Sequence, residues 1–248
     1  MNDKIVDKPN SSQDILTYIG KEMCSLLDSV SDLAQQLNNS DDLPKHLKNT
    51  TSEIVNTSHD AAKLAQNVVD FSALCEGHLI LEDNEFNLKE LFEELGLVVG
   101  MLIKGKSIRY MASTVPLNCE FLQGDATRLG QILLSLLSNS VTFTRAGQIK
   151  LVLENITSVD DKKRHLKFSV SDTGTQINPD QLDNLFNLFA DTQDFIPRRI
   201  GSHGLELAIC QQLVKLMGGE IQVFNGDIQG CHFEFDVYLS DGDHEMIP

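Results

Sequence analysis

Two segments in the second half of the sequence carry isolated polar side chains that could do chemistry. Asn139 lies in an apolar helical stretch, and its amide oxygen is a neutral ligand for a Mg²⁺ ion whose charge is already balanced by phosphates. Asp172 and Gly174 end a β-prone run, where the carboxylate can accept the adenine exocyclic amine and the glycine lets the ring approach the backbone. Each signal alone is weak, because a helix-surface asparagine is usually only solvated and Asp-Thr-Gly is a common turn.

Two further segments lie closer to the C-terminus. The run Gly201-Ser202-His203-Gly204 precedes a helix that starts near Leu205, and the free N–H groups of a helix N-terminus favour phosphate. Residues 190–200 form an irregular stretch that includes Arg198 and Arg199 and could close over phosphates as a lid. A glycine pair and a surface loop are each common, so the combination of all four segments is what predicts a nucleotide site.

The order and spacing of these segments resemble the catalytic domain of hybrid-type sensor histidine kinases, which belong to the GHKL ATPase superfamily. Residues 124–144 resemble the N-box helix, Val170-Ser171-Asp172-Thr173-Gly174 the G1 box, and Leu185-Phe186-Asn187-Leu188-Phe189 the F box. Residues 201–210 with Met217-Gly218-Gly219 resemble the G2 box and the helix that follows it. Residues 71–79 are similar to the exit of the family's second dimerisation helix. The resemblance covers nearly the whole chain and implies a GHKL-type sandwich with a mixed, mostly antiparallel sheet.

The resemblance implies a role for each matching position. Asn139 matches the Mg²⁺-chelating asparagine, Asp172 the adenine-binding aspartate, and Gly174 the first glycine of the G1 box. Gly201 and Gly204 match the glycines of the G2 box. The further positions expected to line the nucleotide are Thr142, Ser202, His203 and Leu205. The implied cofactor is ATP or ADP with Mg²⁺.

Four positions depart from the family's pattern. Gln176 stands where the second G1 glycine is expected, Ser135 replaces the first N-box asparagine, and Thr142 replaces a basic residue. Glu206 replaces a G2 glycine and is expected to place a carboxylate near the triphosphate, where like charges repel. The sequence therefore predicts that nucleotide binding is weakened or absent.

Lys21 is the departure with the largest consequence. Tyr18-Ile19-Gly20-Lys21-Glu22-Met23 is similar to the family's H-box, and Lys21 occupies the place of the phosphoaccepting histidine. A neutral imidazole is nucleophilic near neutral pH, whereas an exposed lysine is protonated and has no free lone pair. Autophosphorylation is therefore expected to be absent. His59, which precedes Asp60, is an alternative acceptor, although a histidine on a helix surface is usually only solvated.

Apolar residues at three- and four-residue spacing predict two long amphipathic helices, over residues 14–37 and 43–75. Residues 38–44 break the pattern between them. Two helices alone cover only part of their apolar stripes, so the hairpin is expected to form a four-helix bundle, as a homodimer or with a related kinase. The predicted organisation is a disordered tail at 1–13, a dimerisation hairpin at 14–80, a nucleotide-binding domain at 85–240 and a polar tail at 241–248.

Helices and strands alternate irregularly in the second half of the chain, which predicts an α+β fold and not a regular βαβ repeat. Asn87 is a good N-cap for the first of these helices, with Glu90 at position N3. Helices are predicted over residues 87–99, 128–142, 181–189 and 205–217. Strands are predicted over residues 78–82, 108–112, 118–123, 148–155, 165–172, 220–224 and 232–239.

Composition limits the function classes. A formal charge of -16 would repel a phosphate backbone, so nucleic acid is not an expected partner. No apolar run approaches the roughly 20 residues that span a bilayer, and the polar N-terminus lacks a signal peptide, so no membrane association is expected. Five well-separated cysteines without a C-x-x-C pair predict reduced thiols and a cytoplasmic location. No cluster predicts a metal site made by protein ligands alone.

Three functions remain open from the sequence. A non-catalytic dimer that regulates a histidine kinase or a response regulator is favoured by Lys21, Glu206 and Gln176 together. An enzyme, either a residual ATP-dependent kinase or a phosphotransfer protein that uses His59, is favoured by the retained nucleotide-binding residues. A sensor of ATP or ADP is the third. Because no input domain is visible, the chain is expected to be either a stand-alone regulator or a piece of a longer kinase.

Overall fold

The computed structural model describes residues 12–39, 44–114, 121–160, 163–182, 185–186 and 203–242. The chain forms two compact units, which divide after Leu79. The predicted lid at 190–200, Gly201 and Ser202, and most of the two predicted tails lie outside the described residues. Every helix in the described part of the chain is too short or too polar to cross a bilayer.

The first unit contains two helices, α1 (Ser12–Asn38) and α2 (Lys45–Cys75). They pack antiparallel: Gly20, in the first half of α1, touches the Val69 side chain near the end of α2. Further along, Ser31 Oγ of α1 lies 3.3 Å from His59 Nε2 of α2. A side chain at residue 20 would overlap Val69, so this glycine permits the close approach of the helices.

The hairpin keeps many apolar side chains exposed. Between 37% and 65% of the side-chain surface is accessible at Ile19, Met23, Leu26, Val30, Leu33, Leu37, Leu47, Ile54, Leu64 and Val68. The residues buried in the described part of the hairpin are mostly small, as Ala34 and Ala65 illustrate. Pairing α1 with α2 therefore covers only part of the apolar surface that the sequence pattern predicts.

Among the described residues of the second unit, seven strands form one sheet: β1 (Asn84–Asn87), β2 (Ser107–Thr114), β3 (Phe121–Gly124), β4 (Ala146–Asp160), β5 (Lys163–Asp172), β6 (Ile221–Asn225) and β7 (Cys231–Asp241). The order across the sheet is β1-β3-β7-β5-β4-β2, and β6 pairs with the first half of β7. β2 runs parallel to β4, whereas the other pairs are antiparallel. The sheet is thus mixed and mostly antiparallel, as predicted.

The described part of the second unit also contains four helices: α3 (Leu88–Leu102), α4 (Ala126–Phe143), α5 (Pro179–Leu182) and α6 (His203–Leu216). α4 contacts α3, α6, β4 and β5, so it lies at the centre of the helical layer. In β5 the side chains of Leu166, Phe168 and Val170 are buried, and those between them are half-buried. This alternation places the core on one face of the sheet and confirms the predicted α+β fold.

Side-chain caps fix where two of these helices begin. Asn87 Oδ1 accepts hydrogen bonds from the N–H groups of Lys89 (2.8 Å) and Glu90 (3.3 Å), which confirms the predicted cap of α3. Asp125 Oδ1 accepts from the Arg128 N–H at 2.9 Å and caps α4. The second oxygen of Asp125 accepts from the Glu82 N–H at 3.0 Å.

Two sequence-based predictions of secondary structure were wrong. Residues 78–82 form no strand, because the Glu82 N–H binds the Asp125 side chain and pairing begins only at Asn84. Within the described part of the helix predicted over residues 181–189, only residues 181–182 are helical, as the end of α5 (Pro179–Leu182), and residues 185–186 form a turn. Residues 183–184 and 187–189 of that prediction lie outside the described residues.

Candidate functional site

Asn139 lies on the core side of α4, whose buried face includes Ile132, Leu136 and Leu137. Only 4% of its surface is accessible. Both polar atoms of its side-chain amide are buried and have no hydrogen-bond partner among the described residues. Buried polar groups are almost always hydrogen-bonded in folded proteins, so an unpaired buried amide requires a water, an ion or a ligand as its partner, or a strained fold.

Asp172 closes β5, and its buried carboxylate meets α4. Its Oδ2 accepts a hydrogen bond of 3.1 Å from the hydroxyl of Ser140, the neighbour of Asn139 in α4. Its Oδ1 accepts from the Gly174 N–H at 2.8 Å and the Cys231 N–H at 3.4 Å. The structure therefore places Asn139 next to the residue of α4 that binds the Asp172 carboxylate.

Gly174 packs directly against the end of α4. A methyl group on this residue would lie 2.5 Å from the Phe143 carbonyl oxygen and 2.7 Å from Thr144 Oγ1. The next residue, Thr175, donates its N–H to the same carbonyl at 3.2 Å. Only glycine fits this contact, so its first role in the structure is to let the loop after β5 approach α4.

Thr144 and Ser140 lie beside Gly174 and Asp172, respectively, and were missed by the sequence analysis. Thr144 is 1% exposed, and its hydroxyl is buried without a hydrogen-bond partner in the described part of the chain. Ser140 holds the Asp172 carboxylate. Ser140 follows Asn139 directly, and Thr144 lies five residues after it. These positions are the only signal in the sequence that could have indicated the two residues.

The turn between β6 and β7 forms one wall beside Asp172. Gly230 packs against the Asp172 carbonyl so closely that a side chain would overlap it. Cys231 starts β7 there, and burial together with the Asp172 charge raises the pKa of its thiol. The thiol therefore stays protonated, and a protonated thiol is a poor nucleophile.

The loop that follows Gly174 is fastened to the same turn. The Asn225 side chain accepts from the Ile177 N–H at 2.9 Å and donates to the Ile177 carbonyl at 2.7 Å. Gln176, at the expected second G1 glycine, donates its amide to the Gly226 carbonyl at 2.5 Å. Gln176 thus serves as a tether between the loop and the turn.

Comparison with known families explains this arrangement. Residues 124–241 match the model of the histidine kinase-, DNA gyrase B- and HSP90-like ATPase family. The chain carries an ATPase domain of this family. The matched segment runs from the end of β3 to the end of β7 and contains Asn139, Ser140, Thr144, Asp172 and Gly174.

The curated relatives are sensor kinases that are much longer than this chain. Hybrid signal transduction histidine kinase K of Dictyostelium discoideum is 26% identical over 252 residues, which cover 99% of this chain and 21% of that protein. The autoinducer 2 sensor kinase/phosphatase LuxQ of Vibrio vulnificus is 27% identical over 94% of this chain and 27% of its own length. The chain thus spans about a fifth to a quarter of these relatives.

Solved structures give the same picture. Full-length ShkA in complex with AMPPNP superimposes with a TM-score of 0.71 and 25% identity over 94% of this chain and 47% of that chain. The histidine kinase AdeS of Acinetobacter baumannii shares the fold at a TM-score of 0.59 and 17% identity over 88% of this chain and 95% of its own. The helical hairpin followed by an ATPase domain is therefore the arrangement of histidine kinases.

The residues of the ATPase domain fit a nucleotide with its Mg²⁺ ion. A carboxylate has about four lone-pair positions, and Asp172 uses three of them within the protein, so one remains for an exocyclic amine. The hydroxyl of Thr144 and the amide of Asn139 are buried and unpaired among the described residues. These groups are of the chemical types that bind an adenine amine and a hydrated cation.

Glu206 does not project freely from the first turn of α6. Its side chain is 5% exposed, and the Ser135 hydroxyl of α4 lies 3.5 Å from its Oε2. The carboxylate lies between α4 and α6, one turn of α4 before Asn139. The small Ser135 side chain makes room there for the larger Glu206.

The other predicted nucleotide-binding residues divide into three groups. Thr142 is exposed and donates its hydroxyl to the Ser138 carbonyl of its own helix at 2.9 Å, so no described contact brings it to Asp172. Leu205 is buried in the core. α6 begins at His203 and includes Gly204 in its first turn, whereas Gly201 and Ser202 lie outside the described residues.

Lys21 and His59 belong to the hairpin, not to the ATPase domain. Lys21 is exposed on α1, at the position predicted from the H-box. His59 is exposed on α2, and its Nε2 lies 3.3 Å from Ser31 Oγ. One ring nitrogen of His59 is therefore engaged by a neighbouring hydroxyl within the hairpin.

Proposed function

We propose that this chain is a histidine-kinase-like signalling protein that binds ATP or ADP with Mg²⁺ and does not phosphorylate itself in the H-box. Asp172 would accept the adenine amine, and Asn139 would hold the Mg²⁺ ion that neutralises the phosphates. The observation that supports binding most strongly is the buried amide of Asn139, which has no partner among the described residues and lies beside the Ser140–Asp172 hydrogen bond.

The hydrogen bonds around Asp172 support a preorganised pocket. Ser140, Gly174 and Cys231 hold the carboxylate from three elements, so it needs no reorientation when an amine arrives. The tether from Gln176 to Gly226 keeps the following loop in place. The departures from the family's pattern weaken binding chiefly through Glu206, whose negative charge lies one helical turn from the metal-binding amide.

Nucleotide binding is tested by calorimetric titration of the purified chain with ADP, in Mg²⁺ and in EDTA. We expect measurable affinity that falls when Mg²⁺ is removed. In Asn139→Ala the affinity in Mg²⁺ should drop to about the value seen in EDTA, because the amide no longer helps to hold the ion. Full ADP affinity with an unchanged Mg²⁺ dependence in Asn139→Ala would contradict the assigned role.

Loss of autophosphorylation rests on Lys21, whose exposed ammonium group has no lone pair to attack the γ-phosphate. Incubation with labelled ATP and Mg²⁺ should leave the chain unlabelled. A phosphotransfer protein that uses His59 is the second candidate, favoured by the exposure of that imidazole on α2. Acid-labile label that disappears in His59→Ala would support this candidate and refute the non-catalytic proposal.

The exposed apolar face of the hairpin supports association with a second copy or with the hairpin of a partner histidine kinase. Leu26 and Leu33 are 65% and 62% exposed, and large apolar surfaces of this kind mark interaction sites. In this proposal the dimer regulates a kinase or a response regulator in the cytoplasm. The free thiols of Cys24, Cys210 and Cys231 are compatible with that compartment.

A further inference from the structure

A second cleft, of about 550 Å³, opens at the edge of the sheet where β2 and β4 begin. Its lining includes the cationic side chains of Lys106 and Arg109 and the polar side chains of Gln148, Thr173 and Gln229. Its volume is in the range that holds a small metabolite. None of the described residues that line it is acidic, although the chain has a formal charge of -16.

The chemistry of the lining suits a phosphate group. Arg109 is exposed and presents a planar guanidinium that can bind two oxygens at once, and Lys106 adds a second positive charge. A phosphate monoester carries a charge of about -1.5 to -2 at neutral pH, which the two cations balance. A ligand with a single carboxylate has a smaller negative charge and would balance only one of them. The amides of Gln148 and Gln229 provide neutral donors for the remaining oxygens.

We propose that this cleft binds a small phosphate-bearing molecule at a site separate from the adenine pocket. The site uses β2, the start of β4 and the turn before β7, and none of its lining residues is Asn139 or Asp172. This claim does not depend on nucleotide binding.

The cleft is also connected to the proposed nucleotide site, and this second part rests on the proposed function. Lys106 Nζ donates to the Val141 carbonyl of α4 at 2.9 Å, one residue after Ser140. Thr173, which follows Asp172, accepts the Gln148 N–H with its hydroxyl at 3.0 Å. A phosphate that draws Lys106 away from α4 and contacts Thr173 therefore acts on both elements that hold the Asp172 carboxylate. Phosphate binding then changes ADP affinity, and ADP changes phosphate affinity by the same factor.

Inorganic phosphate is titrated into the full chain at constant ionic strength, and binding is monitored through the chemical shifts of the backbone amide resonances. Saturable shifts are expected at Ser107, Gln148 and Thr173. Arg109→Gln should weaken this binding at least about tenfold, because it removes the bidentate donor. The matched control Lys89→Gln removes one exposed positive charge from α3 and should leave the affinity unchanged.

Several outcomes overturn the proposal: no saturable shifts at the cleft, equal weakening by both substitutions, or succinate binding as tightly as phosphate. Shifts confined to the start of α6 would place phosphate at the nucleotide site and also refute it. ADP titrations with and without saturating phosphate test the connection, which Arg109→Gln should abolish. If ADP does not bind at all, the proposed function fails while saturable phosphate shifts at the cleft still stand.

Discussion

Replacing Asp172 with asparagine tests the adenine-binding role and leaves most of the pocket's framework in place. The native carboxylate accepts from Gly174 N–H (2.8 Å), Cys231 N–H (3.4 Å) and Ser140 Oγ (3.1 Å). An asparagine keeps one oxygen for the two backbone donors. Its amide NH₂ then faces Ser140, whose hydroxyl can rotate and accept one of the two amide hydrogens.

The magnitude follows from the change in charge. Hydrogen bonds to a charged group contribute about 1.5–3 kcal/mol, and those between neutral groups about 0.5–1.5 kcal/mol. Each of the three bonds should lose about 1–1.5 kcal/mol, so together they should lower the free energy of unfolding by about 3–4.5 kcal/mol. The adenine amine loses one charge-assisted acceptor, which at about 1.5–3 kcal/mol reduces ADP affinity by roughly ten- to 150-fold.

Calorimetric titration with ADP and Mg²⁺ measures the affinity, and urea unfolding measures the stability. Ser140→Ala is the matched control, because it removes one donor to Asp172 and keeps the carboxylate charge. Its ADP affinity should change by less than about threefold. Equal loss of affinity in both variants, or native affinity in Asp172→Asn, would refute the adenine-binding role.

Three further predictions concern packing, association and pH. Gly174→Ala places a methyl group 2.5 Å from the Phe143 carbonyl oxygen and should lower the free energy of unfolding by about 1–3 kcal/mol. The control Gly100→Ala, in an open part of α3, should raise it by about 0.5–1 kcal/mol. Melting temperatures that shift in the same direction for both variants would contradict this prediction. Leu26→Glu should convert the dimer to a monomer in sedimentation equilibrium, and a native chain that is already monomeric would refute the proposed association. The hydrogen bond from Lys167 lowers the pKa of Glu234 below its ordinary value of 4.5, so its contribution to stability is present above that pH and lost as the pH falls through the lowered pKa. Glu234→Gln should therefore lower the melting temperature near neutral pH and approach the native value in acid; a constant difference at all pH values would exclude this linkage.

The elements of the fold were predictable where local chemistry decides them. Asn87 caps α3 because its side-chain oxygen reaches N–H groups two and three residues ahead, a purely local event. The alternation of β5 follows from one buried sheet face. By contrast, residues 78–82 have strand-like composition, but the Glu82 N–H binds Asp125, which lies 43 residues away. A distant side chain of this kind leaves no local pattern.

The same distinction applies to the site. Asn139 and Asp172 were predicted from residue type and spacing. The positions of the Ser140 and Thr144 hydroxyls depend on how α4 packs against the end of β5, which the sequence alone does not show. The direction of the Glu206 side chain could not be predicted from the sequence. It depends on the space left by Ser135 on another helix, 71 residues away, and spacing in one segment does not report the size of a residue in another.

The hydrogen bond between Asp172 and Cys231 has a consequence for how the pocket assembles. It joins residues 59 positions apart and forms only when β7 has inserted between β5 and β3. Pairings of such long range are slow to form during folding. A nascent chain that has already built α4 and β5 thus still lacks one hydrogen-bond donor to the Asp172 carboxylate. The complete set of contacts to this side chain therefore requires that the central strand of the sheet has already paired.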